Sequence, residues 1–148
     1  MRLDFIIPYK LGPKQGDRAR IVTAKDGRQF VHHHPATKVV EAAATLAAMI
    51  AQHRPDKPFD GPLRLVITST AHWRRGEAAW RKAHGTWPRD TGPDFDNLAK
   101  QMGDVLESSG FMVNDARIAD GRVIKLWGDS PGIRIELETI ELPTRKAP

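Results

Sequence analysis

The apolar residues of this chain recur with two different periods, and that division limits the fold more than any other feature. Ile133, Ile135, Leu137 and Thr139 alternate with Arg134, Glu136 and Glu138, a period of two that predicts a half-buried strand over Ile133–Leu142. Val39, Val40, Ala43, Leu46, Ala47 and Ile50 recur at the spacing of one helix face, which predicts a helix over Pro35–His53, with Pro35 at its start and His53 and Arg54 at its end. Leu3–Ile7, closed by Pro8, reads as a buried strand, and Leu63–Thr68 alternates like another. Ile21-Val22-Thr23 and Gln29-Phe30-Val31 flank Asp26-Gly27, a hairpin signal. A second helix spans Asp96–Ser109 with Gly110 as its stop. A strand then covers Arg117–Trp127, with a polar break at Asp120-Gly121, and Gly128 to Gly132 form a turn cluster. Residues 71–92 admit only a short helix within Glu77–Ala83, because Gly85, Pro88 and Gly92 interrupt them. The expectation is an α+β fold in one domain over 1–148: a mixed sheet from the first, middle and last strands, flanked by two main helices, with a frayed tail over 143–148.

Composition narrows the function. The net charge of +5 suits a polyanionic partner, nucleic acid being the commonest, although charge alone fits a merely basic protein equally well. The chain has no cysteine, which excludes disulfides, thiolate catalysis and cysteine-held zinc and fits a reducing cytoplasm. No run approaches the roughly 20 apolar residues of a membrane span. The first residues, Met1-Arg2-Leu3-Asp4-Phe5, carry an early acid and too short an apolar stretch for a signal peptide. A cytoplasmic location without membrane attachment is therefore expected.

The informative stretch is Gly92-Pro93-Asp94-Phe95-Asp96-Asn97-Leu98-Ala99-Lys100. Extended chain after Pro93 puts Asp94 and Asp96 on one side, with Asp96 placed to cap the helix and Phe95 between them directed into the core. On that helix Leu98, Met102, Val105 and Leu106 share one face, while Asp96, Lys100, Asp104 and Glu107 share the other. After Gly110 the chain returns, so Asp115 is expected near Asp94 and Asp96. Three converging carboxylates in a basic protein repel one another and DNA alike, and a divalent cation removes that penalty. Oxygen ligands without sulfur favour Mg²⁺, with Mn²⁺ able to substitute, over zinc. Lys100 is then placed to balance charge on a phosphate. Asp-x-Asp is nonetheless a weak pattern. Spacing alone favours the plainer reading, in which Asp96 is a cap, Asp94 and Asp115 are loop residues and Lys100 is solvated.

The longer pattern is more specific. Asp94-Phe95-Asp96-Asn97-Leu98-Ala99-Lys100, then Asp104-Val105-Leu106, Gly110-Phe111 and Asn114-Asp115, resembles the signature of the RusA family of Holliday junction resolvases. Arg122-Val123-Ile124-Lys125, Ile133-Arg134-Ile135-Glu136-Leu137, Lys14-Gln15 with Arg18 and Arg20, and Pro35-Ala36-Thr37 are similar to features flanking that signature. The resemblance implies a homodimer built on a mixed sheet, and Mg²⁺-dependent nicking of two strands across a four-way DNA junction. It implies that Asp94, Asp96 and Asp115 hold the metal and that Lys100 is the catalytic lysine. Asp104 matches a motif acid without an assigned role. Asn114 stands where many members carry a second acid, and Gly16-Asp17 interrupts the basic N-terminal motif. A bacterial or phage source follows by analogy.

Lys10, Lys14, Arg18, Arg20, Arg74 and Arg75 are the DNA-contact candidates, each almost as well explained as a solvated surface residue. His32-His33-His34 alternate across a strand and chelate poorly, so a solvated strand end is expected. Trp73, Trp80 and Trp87 stand among arginines. Packing the loop onto the body is their expected role, and stacking on splayed bases the alternative. Three other functions share these features: a nuclease of flaps or forks, a non-catalytic junction-binding module, and a basic interaction protein with no nucleic-acid role.

Overall fold

The computed structural model describes residues 1–9, 18–34 and 37–143. Its elements are β1 (Arg2–Ile7), β2 (Arg18–Thr23), β3 (Gln29–His34), α1 (Thr37–Ala51), β4 (Leu63–His72), α2 (Ala79–Lys82), β5 (Thr86–Pro88), α3 (Phe95–Ser108), β6 (Ile118–Gly128) and β7 (Gly132–Thr139). Five strands form one mixed sheet in the order β1-β7-β4-β6-β5. β4 runs antiparallel to β7 and parallel to β6. The expected α+β class is what forms, with the first, middle and last strands adjacent in one sheet and β1 at its edge. β2 and β3 make the separate hairpin expected around Asp26-Gly27, where Gly27 adopts a φ of 84° that its missing Cβ permits.

One face of the sheet is apolar because every second residue of its central strands is. Leu63, Leu65 and Ile67 of β4, Ile133, Ile135 and Leu137 of β7, and Phe5 and Ile7 of β1 are buried there. Leu46 and Ile50 of α1 and Leu98, Met102, Val105 and Leu106 of α3 close over them. Each such side chain removed from water contributes about 1.5–3 kcal/mol. His53 lies past the end of α1 and stacks on Phe5 at 4.3 Å. It therefore packs against the core rather than closing the helix as expected.

The opposite face carries ion pairs. Arg134 holds Asp4 through two hydrogen bonds of 2.9 and 2.6 Å, and Arg64 bridges Asp120 and Glu138 at 2.7 and 2.8 Å. The Arg134 hydrogen bond, with charge attraction, holds the Asp4 carboxyl below the usual carboxylate value. Arg2 with Glu136 and Arg122 with Asp120 complete the rows. Four arginines thus meet four acids, so this face contributes little to the net positive charge.

Several boundaries differ from expectation. β4 continues to His72, four residues further, because Ser69 and Ala71 keep the inward alternation going against β6. β6 runs through Asp120-Gly121 without a break, since Asp120 points to the charged face and finds Arg64. β5 was not expected; three residues suffice because it pairs only with the end of β6. No helix among the described residues is long and apolar enough to cross a membrane.

Gly132 is where β7 meets β1. A Cβ there would stand 2.8 Å from the backbone oxygen of Ile7. Gly132→Ala is therefore expected to push two hydrogen-bonded strands apart. The expected cost is about 1–3 kcal/mol, or a Tm lower by about 2–12 °C. Thermal unfolding followed by circular dichroism checks it, and an unchanged Tm would mean that the β1–β7 contact yields freely.

Candidate active site

α3 begins one residue earlier than its pattern predicts. Asp94, not Asp96, occupies the capping position, with φ −69° and ψ 153°. Its side chain makes no capping hydrogen bond, so its carboxylate stays available. Asp96 falls in the first turn instead. Phe95 is 57% exposed, against the expectation that it faces the core. The physical reason is position: the buried stripe starts at Leu98, a turn further in, and the first turn of α3 projects beyond it. The helix amino end still favours both carboxylates, by about 0.3–1 kcal/mol each.

Lys100 and Asp104 follow on the exposed side of α3. Gly110, at φ 75°, then reverses the chain, with Phe111 N–H donating to the Leu106 carbonyl at 2.9 Å. Phe59 pins the return segment, donating to the Phe111 carbonyl and accepting from Val113 N–H. The chain descends to Asn114, which caps the short turn Asp115–Arg117 by accepting from Ala116 N–H at 2.8 Å. Asp115 N–H donates to Glu107 at 3.0 Å. Its side chain lies beside Gly103, whose Cβ, if present, would be 3.7 Å from that of Asp115.

The expected convergence is therefore partial. Asp94 and Asp96 stand together at the amino end of α3, with Lys100 one turn on. Asp115 reaches α3 at Gly103, seven residues from Asp96 or about 10 Å along the axis. Among the described residues, no three acidic or histidine side chains form a cluster that would enclose a metal ion. What the acids share is freedom. Among the described residues, the carboxylates of Asp94, Asp96 and Asp115 take part in none of the ion pairs that engage Asp4, Glu77, Asp120, Glu136 and Glu138. A donor set of carboxylate oxygens, with no cysteine in the chain, suits a hard divalent cation.

Two further residues shape this site, and sequence reasoning did not single them out. Lys125 lies on the inward row of β6 with Val123 and Trp127. Its ammonium donates to the carbonyls of Thr91 and Pro93 at 2.9 and 3.1 Å, fixing the loop that delivers Asp94. The signal was available: a lysine on the apolar parity of a strand needs acceptors. Gly103 is the other, the buried position of α3 against which Asp115 lies, where a Cβ would make ordinary contact at 3.7 Å.

A profile of the family described as endodeoxyribonuclease RusA matches residues 10–138. The chain belongs to the RusA endodeoxyribonuclease family. It is thus a member of a nuclease family, and Asp94, Asp96, Lys100 and Asp115 all fall within the matched span. A search of curated proteins finds no match. Of the DNA-contact candidates in this RusA domain, Lys10 and Lys14 lie outside the described residues, and Arg18 and Arg20 are placed on β2 by backbone alone. Arg74 is engaged within the protein, by Glu77 at 3.0 Å and by stacking over Trp127 at 5.7 Å. Arg75 is exposed. The three histidines lie at the end of β3.

Proposed function

We propose that this chain is a Mg²⁺-dependent endonuclease that resolves four-way DNA junctions in recombination and repair, working as a homodimer. The observation that carries this reading is the set of free carboxylates, Asp94, Asp96 and Asp115, ranged along α3 on either side of Lys100. The sheet matches its acids to arginines, whereas among the described residues these three take part in no ion pair. Asp94, Asp96 and Asp115 would hold the cation, with Mn²⁺ able to replace Mg²⁺. When bound, such an ion supplies an activated water and offsets charge on the phosphate. Lys100 holds a non-bridging oxygen of the scissile phosphate and balances the charge that grows there during hydrolysis. Water adds to phosphorus and one P–O bond of the backbone breaks, leaving a nick. A two-fold dimer offers two such sites to a junction whose own symmetry is close to two-fold, which suits paired cuts.

The test is cleavage of labelled four-way junction, flap and plain duplex, each with Mg²⁺ and with chelator. Paired symmetric nicks in the junction alone, abolished by chelator, are expected. Equal cutting of flaps would replace this reading with a broader structure-specific nuclease. Tight junction binding without any cutting would replace it with a binding module.

A further inference from the structure

The insert between β4 and α3 divides its tryptophans by role. Trp73 packs as a structural residue does, its Nε1 donating to Asp129 at 2.8 Å. Trp87 is half-buried and pairs across strands with Trp127. Trp80 is different. It is 57% exposed on α2, held edge-on by Trp87 at 5.1 Å and 84°. Arg81 lies over both rings, at 5.2 Å from Trp80 and 5.3 Å from Trp87. Glu77 fixes that guanidinium at 3.1 Å, and its Nε is buried without a partner among the described residues. Trp80 is thus a cation-backed aromatic surface that packs edge-on against Trp87 and leaves more than half of its area exposed.

Its surroundings favour a polyanion. Residues 73–89 carry Arg74, Arg75, Arg81, Lys82 and Arg89 against the single acid Glu77. Arg89, only 6% exposed, adds a buried cation over Trp127 at 5.6 Å. The insert also leads directly into the loop that carries Asp94. β5 ends at Pro88 and Asp94 follows six residues later, so the two lie no more than about 20 Å apart.

We propose that Trp80 is a stacking platform for an unpaired base of the DNA whose phosphate is cut at α3. The proposal rests on the nuclease reading above and deepens it. Duplex bases already stack on each other, whereas a base at a branch point can offer a free face to an aromatic ring. A Trp backed by a fixed guanidinium selects such a base by shape and charge without reading its identity. The platform therefore favours branched over continuous DNA.

The experiment uses the full chain, with chelator present to prevent cutting, and a four-way junction carrying 2-aminopurine at the branch. Wild type, Trp80→Ala and Trp80→Phe are titrated against it and against plain duplex. Binding by the wild type is expected to quench the probe. Trp80→Ala is expected to weaken junction binding at least about tenfold and to remove the quench, with duplex affinity changed less than about twofold. Trp80→Phe should retain most of both. Unchanged junction affinity in Trp80→Ala, or equal loss on junction and duplex, would overturn the platform. So would a shift to a smaller species in sedimentation with DNA affinity kept, which would assign Trp80 to a contact between protein copies. If binding shows this Trp80 dependence but the wild type cuts nothing in Mg²⁺, the nuclease reading fails and the platform stands. If the wild type cuts junctions and Trp80→Ala binds them as well as it does, the platform alone fails.

Discussion

Asp94→Asn is expected to lower junction cleavage at least about 1,000-fold, equivalent to roughly 4 kcal/mol of lost transition-state stabilisation, while junction binding is retained or tightened. The substitution removes one negative charge and one metal-binding oxygen and leaves the shape almost unchanged. DNA approaching α3 then meets less repulsion, so the sign on binding is opposite to the sign on rate. The fold should tolerate the change. Asp94 is exposed at the helix cap and its side chain makes no capping bond, and Asn caps about as well as Asp. Stability is expected to shift by no more than about 0.5 kcal/mol. Single-turnover cleavage, junction titration and thermal melting on the same preparation separate these effects. Cleavage at the wild-type rate would remove Asp94 from the active centre. Loss of binding together with cleavage would make it a structural or DNA-contact residue instead.

The sequence was most readable where periodicity was long. The alternation along Ile133–Leu137 and the helical stripe of Leu98, Met102, Val105 and Leu106 both appear in the structure as the two sides of one core, because burial of a whole face overrides local detail. The ends of elements were less readable. Asp94 and Asp96 both suit a cap, and only the backbone path out of the preceding loop decides between them. The place of Phe95 between two outward acids predicts a core residue. That parity holds for a strand, and the residue stands on a helix. β5 has no signature in the sequence because three residues carry no period of their own and form only against β6.

The site was legible as a set of residues rather than as a geometry. Its pattern of acids and lysine marked Asp94, Asp96, Lys100 and Asp115, and the family profile spans all four. How far Asp115 returns along α3 depends on Gly110, on the clasp of Phe59 around Phe111 and Val113, and on Glu107 holding the Asp115 N–H. Those are contacts between segments distant in sequence, and no local pattern encodes them.

Lys125 follows the same logic and carries the second large effect. Its ammonium spans from β6 to the carbonyls of Thr91 and Pro93, so the sheet itself sets where Asp94 emerges. Lys125→Met keeps the apolar stem and removes both hydrogen bonds. The carbonyls then turn to water, and the loop loses its tie to the sheet at a stability cost of about 1–2 kcal/mol. The larger consequence falls on function. Supports behind metal-binding groups typically matter by about 10–100-fold in affinity or rate, and Lys125→Met is expected to raise the Mg²⁺ concentration for half-maximal cleavage by about that factor. A purely structural lysine would lower the Tm and leave the Mg²⁺ dependence where it was, so the titration distinguishes the two roles. Lys125→Arg, which still offers donors to both carbonyls, should restore much of the Mg²⁺ response. A wild-type Mg²⁺ profile in Lys125→Met would show that the Asp94 loop holds its place without the lysine.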